Sequence, residues 1–324
     1  MTIDYNGRRV LVTGADGFMG SHLTERLVEQ GAKVSVFVRG TSQSGTSQLM
    51  LKNISHIKDK LKKVYSGDLA AEDSAKIIRN DEPEIILHLA ASAYVPYSFD
   101  HPKEVTAINL MGTLNVLEAV MNSSVERVVV TSSSEVYGSA VKVPIDEDHP
   151  LNPTSPYAAS KAAADRYAYS YIKTYGLPIS IIRPFNTYGP RHIYDVIPKF
   201  INLALNGKPL TIYGKGEQTR DFTYVSDTVE GFMLMGLHPN AKHEVVNFGS
   251  GFEIKIKDLA QKVVSLSSSK SQVTYQEARM AEVSRLWCDN SKAKRLFGWQ
   301  PKVSLDEGIK KNIEWFKTRL NVQG

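Results

Sequence analysis

Residues 9–20 read Arg-Val-Leu-Val-Thr-Gly-Ala-Asp-Gly-Phe-Met-Gly, and Leu23, Leu27 and Val28 follow at helical spacing. Five residues of buried-strand character thus run through a glycine-rich turn into an amphipathic helix. That succession opens a doubly wound sheet, and each glycine in it has a reason to be there. The turn is tight, a pyrophosphate must approach the backbone closely, and the helix must pack against the strand. The helix N-terminus then presents amide N–H groups and a partial positive charge to phosphates. Glycines at this spacing also mark ordinary turns, so it is their place between strand and helix that points to a dinucleotide. Gly14, Asp16, Gly17, Phe18, Met19 and Gly20 are the first candidate cofactor residues.

Working outward, apolar β-rich runs recur at Val34–Val38, Glu84–Leu89, Arg127–Thr131 and Ile179–Pro184, separated by helical sequence. This alternation predicts an α/β fold, a doubly wound parallel sheet of the Rossmann kind. The expected dinucleotide-binding domain covers 1–184, with a segment near 220–250 returning to it. After Pro184, prolines 190 and 198 and glycines 214 and 216 punctuate shorter elements, which predicts a smaller C-terminal α/β substrate-binding lobe over most of 185–324. The polar runs 41–48 and 265–272 read as loops, as does the proline-rich, acidic stretch 143–156, which is suited to lining a substrate cleft.

The 324 residues carry 39 Lys and Arg against 34 Asp and Glu, a net +5 scattered along the chain, which argues against a nucleic-acid partner. The single cysteine, Cys288, excludes a disulfide framework or a cysteine-cluster metal site and fits a reducing compartment. There is neither a basic-then-apolar leader nor an apolar run of about 18 residues. A cytoplasmic enzyme with no membrane partner and no metal is the expectation.

Nucleotide choice is read at the end of the second strand. An acidic side chain there would accept from the ribose 2′-hydroxyl, whereas Arg39 followed by Thr41 and Ser42 would attract a 2′-phosphate. The expectation is NAD(P), with NADP favoured over NAD. The alternative is a solvated arginine. Asp68-Leu69, where a third strand should end, suits either an adenine contact or a plain turn. His88, inside an apolar run, reads as a satisfied core histidine and is left out of the chemistry.

Tyr157 and Lys161 stand four residues apart behind Ser155-Pro156, an N-cap followed by proline at the first helical position, so phenol and ammonium share a helix face. A nearby ammonium favours the phenolate, lowering a pKa of about 10 toward neutrality, as proton transfer with a sugar hydroxyl requires.

Together with the glycine turn and this pair, His88-Leu89-Ala90-Ala91, Asn109 with Gly112-Thr113, Ser133 through Gly138, Arg183 through Arg191 and Arg220-Asp221-Phe222 resemble extended short-chain dehydrogenases/reductases acting on nucleotide-linked sugars. The resemblance spans nearly the whole chain. It implies a tightly bound, recycled NAD(P), a lobe gripping a nucleoside diphosphate, and a homodimer formed through two helices per subunit. In that pattern Ser133 polarises the sugar hydroxyl, Tyr157 is the acid-base and Lys161 steers tyrosine and ribose. Leu89, Ala90, Ala91, Asn109 and Pro184 border the dinucleotide, while Ser92, Ser133, Ser134, Asn186, Arg191, Arg220 and Arg285 face the substrate.

Such enzymes oxidise the sugar at carbon 4, which acidifies the proton on carbon 5. A dehydratase then needs a carboxylate two residues beyond the catalytic Ser/Thr, and Glu135 stands there. This favours a nucleotide-sugar 4,6-dehydratase. Ser134 departs from the Asp-Glu common in enzymes of thymidine-linked glucose, and the runs 282–287 and 289–294 resemble dehydratases of nucleotide-linked N-acetylglucosamine. A UDP-glucuronate decarboxylase, a UDP-sugar 4-epimerase (suggested by Val95-Pro96-Tyr97-Ser98) and a non-catalytic dinucleotide-binding sensor are the alternatives.

Overall fold

The computed structural model describes residues 3–39, 51–279 and 281–322. In chain order the elements are β1 (Arg9–Thr13), α1 (Phe18–Glu29), β2 (Lys33–Val38), β3 (Lys63–Ser66), α2 (Ser74–Asp81), β4 (Ile85–His88), α3 (Val95–Asp100), α4 (Pro102–Thr106), α5 (Gly112–Val120), β5 (Arg127–Thr131), α6 (Pro156–Tyr175) and β6 (Ile179–Pro184). There follow β7 (Thr187–Tyr188), α7 (Val196–Leu205), β8 (Leu210–Tyr213), β9 (Thr219–Asp221), β10 (Thr223–Tyr224), α8 (Val225–Leu237), β11 (Val245–Phe248), β12 (Glu253–Lys255), α9 (Ile256–Leu266), β13 (Val273–Gln276), α10 (Ser291–Phe297) and α11 (Leu305–Val322).

The chain divides into two compact units. The first comprises residues 1–136, 155–183 and 229–246. It is built on a parallel sheet of seven strands in the order β11-β6-β5-β4-β1-β2-β3. β4 and β5 are buried along their whole length, as the near-continuous apolar runs require of a sheet covered on both faces. The order reverses between β1 and β4, whose registers pair Thr13 with His88, so the carboxyl ends of these two strands form the topological switch point where α/β sheets bind ligands. On α1 the buried face is Leu23, Thr24 and Leu27, whereas Val28 is only half-buried. Thr24 can join this buried face because its hydroxyl is satisfied locally, donating to Gly20 O at 2.7 Å.

The second unit comprises 137–154, 184–228 and 247–324. It holds three short two-stranded pairings, β7 with β10, β9 with β12 and β8 with β13, beside helices α7, α9 and α11. The aromatic cluster of Phe248, Phe297 and Trp299 lies within it. The stretch 143–155, read as a loop, carries no helix or regular strand and makes a single bridge from Ile145 to Cys288. Among the described residues no helix is long and apolar enough to cross a membrane, and no cluster of His, Cys, Asp and Glu could hold a metal ion.

Candidate active site

The glycine turn shows why no other residue fits. Gly14 has φ +70°, and a Cβ there would lie 2.7 Å from the Ala90 amide nitrogen; one on Gly20 would lie 2.1 Å from Gly14 O. The turn is therefore closed against the loop after β4, and α1 starts at once behind Gly17, which as N-cap has no side chain to cap the amides. A cradle that any Cβ would fill, ending in a helix N-terminus at a switch point, fits a dinucleotide pyrophosphate. Phe18 and Met19 begin the helix. Asp16 is engaged inward: its carboxylate accepts from the backbone N–H groups of Lys52 (2.9 Å), Asn53 (2.7 Å) and Ile54 (3.2 Å). It thereby anchors the chain that re-enters after the second strand.

Arg39 follows β2 directly and pairs with Glu104 at 3.6 Å, both side chains exposed. Thr41 and Ser42 lie outside the described residues. Asp68 follows β3 and accepts from the Ala70 amide at 2.9 Å, a turn closure, while Leu69 is buried against Gly112. Leu89, Ala90, Ala91 and Ser92 follow β4, and Ser133, Ser134 and Glu135 follow β5, all at strand carboxyl ends. The Ser133 hydroxyl accepts from the Glu135 amide at 3.2 Å, which fixes the hydroxyl and the start of the glutamate in one turn.

The helix α6 begins as its sequence predicts. Ser155 caps it by accepting from Ala158 N at 3.1 Å, Pro156 occupies the first position, and Gly176 ends it in the left-handed conformation. Tyr157 (9% exposed) and Lys161 (3%) are both buried on this helix. The Lys161 ammonium donates to the Thr131 carbonyl. Burial pulls its pKa down to about 8, a fall partly opposed by Asp165 one turn on. Lys161 so remains mostly protonated near neutral pH yet poorly hydrated, the condition in which a charge acts most strongly on a neighbour. Burial disfavours the Asp165 anion, but bonds from Arg183 at 2.8 and 3.1 Å, the Arg183 charge and that of Arg166 outweigh it and hold the carboxyl below its usual range. Asn109 is 1% exposed and joins the predicted Ser92 to Ser160 on α6, accepting from Ser92 N through Oδ1 (2.7 Å) and donating to Ser160 Oγ through Nδ2 (2.9 Å).

Four predicted substrate residues belong to the second unit. Arg220, on β9, donates to the carbonyls of Thr219 (2.8 Å) and Val283 (2.7 Å) and pairs with Glu282 at 2.8 Å. Arg285 pairs with Glu253 and lies 5.6 Å from the Trp287 ring centroid, and Glu253 also accepts from the Thr219 hydroxyl at 2.6 Å. The two arginines thus have separate carboxylate partners, groups that match the anion geometry of a phosphate. Asn186 donates to Asp221 O at 3.1 Å, and Arg191 occupies a strained φ of +73°. Pro184 ends β6.

Sequence reading missed the polar groups behind these residues. Asp221 is wholly buried and accepts from Ser250 N (2.7 Å), Ser250 Oγ (2.6 Å), Gly251 N (2.9 Å) and Cys288 N (3.2 Å), tying β9 to the loop after β11. Burial nevertheless pushes its pKa up to about 6. Asp165 and Arg183 are likewise invisible as a pair, because their separation along the chain carries no spacing signal.

The sequence model of the GDP-mannose 4,6 dehydratase family matches residues 11–312. A dTDP-D-glucose 4,6-dehydratase of Bos taurus is 36% identical over 98% of this chain and 91% of its own length. Two solved structures superpose with TM-scores of 0.87: the UDP-glucose 4-epimerase of Thermotoga maritima with UDP-glucose, at 31% identity over 96% of this chain and 99% of that one, and DesIV, a dTDP-glucose 4,6-dehydratase of Streptomyces venezuelae with NAD bound, at 30% over 97% and 98%. Dehydratases and epimerases are therefore both among its relatives, on one fold. Because the match runs through both compact units and takes in the glycine turn and the Tyr157–Lys161 helix alike, this chain belongs to the GDP-mannose 4,6 dehydratase family of extended short-chain dehydrogenases/reductases.

Proposed function

We propose that the protein is an NAD(P)-dependent nucleotide-sugar 4,6-dehydratase. The observation that carries this reading is Glu135, a half-buried carboxylate at the carboxyl end of β5 in the turn that holds Ser133. A nicotinamide held by the glycine turn would supply a hydride acceptor for carbon 4 and a hydride donor for carbon 6. Tyr157, assisted by the ammonium of Lys161, takes the proton of the carbon 4 hydroxyl while Ser133 orients it. The resulting ketone acidifies carbon 5, whose proton Glu135 removes and delivers to the departing carbon 6 hydroxyl as the carbon 5–carbon 6 double bond forms and water leaves. Hydride addition at carbon 6 is then matched by a proton added at carbon 5, equivalent to the one Tyr157 took from the carbon 4 hydroxyl. Arg220 and Arg285 exchange their carboxylate partners for the diphosphate, and Asn186, Arg191, Ser92 and Ser134 complete the substrate contacts. Gly14 through Gly20, Asp68, Leu69, Leu89, Ala90, Ala91, Asn109 and Pro184 hold the dinucleotide.

The deciding experiment incubates the protein with UDP-, GDP-, CDP- and dTDP-linked hexoses and N-acetylhexosamines and follows product masses. Loss of one water supports the dehydratase; an isobaric product assigns a 4-epimerase instead, and loss of carbon dioxide from a glucuronate a decarboxylase. In Glu135→Gln, water loss stops while bound dinucleotide is still reduced on adding substrate; undiminished water loss removes Glu135 from its role. NADP over NAD turns on Arg39, whose pairing with Glu104 competes with a 2′-phosphate. Arg39→Asp should shift preference to NAD, and an unchanged preference would free Arg39 from that role. We also infer a homodimer through α6 and the helical segment that carries Met111, because Met111, Tyr167, Tyr169 and Tyr175 leave large apolar side chains exposed there. Sedimentation of the purified protein at the monomer mass would overturn this.

A further inference from the structure

The buried imidazole of His88 has no part in the chemistry above, yet its bonds run toward both halves of the site. His88 is 2% exposed at the end of β4. Its Nδ1 lies 2.8 Å from Thr13 Oγ1 and its Nε2 3.0 Å from Thr113 Oγ1. The donors can be assigned by elimination. The one hydroxyl hydrogen of Thr113 goes to Asn109 O at 2.7 Å, so Thr113 Oγ1 accepts from an N–H on Nε2. Nδ1 is then left to accept from the Thr13 hydroxyl, whose oxygen accepts in turn from the Ala90 amide at 3.2 Å. Ala90 is the residue against which Gly14 closes.

Beyond Thr113 the chain of bonds continues into the catalytic helix. Asn109 holds Ser160 Oγ, and Ser160 donates to Tyr157 O at 2.7 Å. Through its own carbonyl His88 accepts from Thr131 Oγ1 at 2.6 Å, and the Thr131 carbonyl is the acceptor of Lys161. The segment bearing Asn109 is a turn of π-helix, Ala107–Met111, in which the Gly112 amide reaches back five residues to Ala107 O. Such a bulge lets one helix present an inward side chain and still continue into α5.

We infer that His88 is a positioning residue, which as a neutral imidazole with its proton on Nε2 sets the distance between the dinucleotide turn and the Tyr157–Lys161 pair. The inference rests on the acid-base role proposed for Tyr157. A proton on Nδ1 would turn the Thr13 hydroxyl from donor to acceptor and take from its hydrogen the acceptor it has here, and in a buried place a second charge would sit beside Lys161, so the neutral ring is the favoured form. The burial that pulls the His88 pKa down to about 3 acts in the same sense.

Two measurements test this. Nitrogen-15 NMR of the holoprotein should show for His88 one protonated and one unprotonated ring nitrogen, with Nε2 carrying the proton, unchanged between about pH 5 and 8. A ring that titrates in that range, or carries its proton on Nδ1, overturns the assignment whatever the enzyme does. Thr113→Val removes the acceptor of Nε2 with little change in shape. With the sugar nucleotide that the parent turns over, it should slow reduction of the bound dinucleotide about tenfold and move the pH midpoint of that step upward by about half a unit, with KM within about twofold. The midpoint rises because a Tyr157 held less firmly against the ammonium returns toward the ordinary phenol value. A pH profile superimposable on the parent's, or a loss confined to melting temperature, shows a structural role only. If no sugar nucleotide reduces the dinucleotide in the parent, the proposed function fails, and the NMR result still stands for or against His88.

Discussion

The two sets of residues assigned to chemistry are held in opposite ways. Around Tyr157 and Lys161 the bonds named above lie between buried groups: Lys161 to a strand carbonyl, Ser160 to Asn109, Asp165 to Arg183, with exposures of a few per cent. The arginines of the second unit are held by carboxylates nearer the solvent, Arg285 with 45% and Arg220 with 12% of the side chain exposed. Proton transfer needs groups that do not rearrange as charge moves, and a low-dielectric setting that magnifies a fixed ammonium. Binding a polyanion needs cations whose existing partners can be exchanged, and surface ion pairs hold only weakly. The first set is covered, whereas the second stands nearer the solvent, Arg285 more so than Arg220.

Substitutions can break this contrast. The largest effect expected is for Tyr157→Phe, which should lower turnover about a thousandfold with melting temperature unchanged; a loss below about tenfold would remove the phenol from proton transfer. Next comes Asp165→Ala, which takes the carboxylate partner from the buried Arg183 and should cost about 3–5 kcal/mol in denaturant unfolding. If it costs under about 1 kcal/mol, the catalytic helix is not anchored by that pair. Arg285→Ala should raise KM for the sugar nucleotide about tenfold and leave kcat nearly untouched, and a fall in kcat instead would give the arginine a transition-state role.

A subtler test lies in pH. The folded Lys161 has a pKa of about 8, below the 10.5 of a free lysine, so the folded state binds fewer protons than the unfolded state between those values. Stability from this group is therefore lowest below about pH 8 and recovers as pH rises toward 10.5. Lys161→Met should abolish turnover yet melt no lower than the parent at pH 7, its advantage shrinking on going to pH 10; a lower melting temperature at pH 7 would show that the Thr131 bond outweighs desolvation. Smallest of all, Glu104→Gln breaks an exposed pair with Arg39 and should change stability by no more than about 0.5 kcal/mol.

How much of this was legible beforehand follows the same division. The glycine turn and the α6 cap were readable because local rules dictate them: a positive φ, a close backbone approach, an N-cap followed by proline, whereas the switch point followed only from the strand order. On α1 the apolar spacing was legible, but it does not show that Thr24 is buried too, with its hydroxyl satisfied within the helix. The arginines were found only through family resemblance, since an exposed arginine has no periodic signature, and their partners Glu253 and Glu282 went unseen. Asp221 lay in a quoted run, but its four donors come from residues 29 to 67 positions away.

The sequence by itself determined the sheet, the order of its strands' chemistry and the Tyr157–Lys161 spacing, because hydrophobic period, turn sterics and one helical turn all act over a few neighbouring residues. Only the tertiary structure decided which polar groups meet in the interior: that His88 bridges Thr13 to Thr113, that Arg183 answers Asp165, and that Asp16 ties down the chain at 52–54. Buried polar groups must find partners wherever the fold brings them, and those partners are set by strand order rather than by distance along the chain.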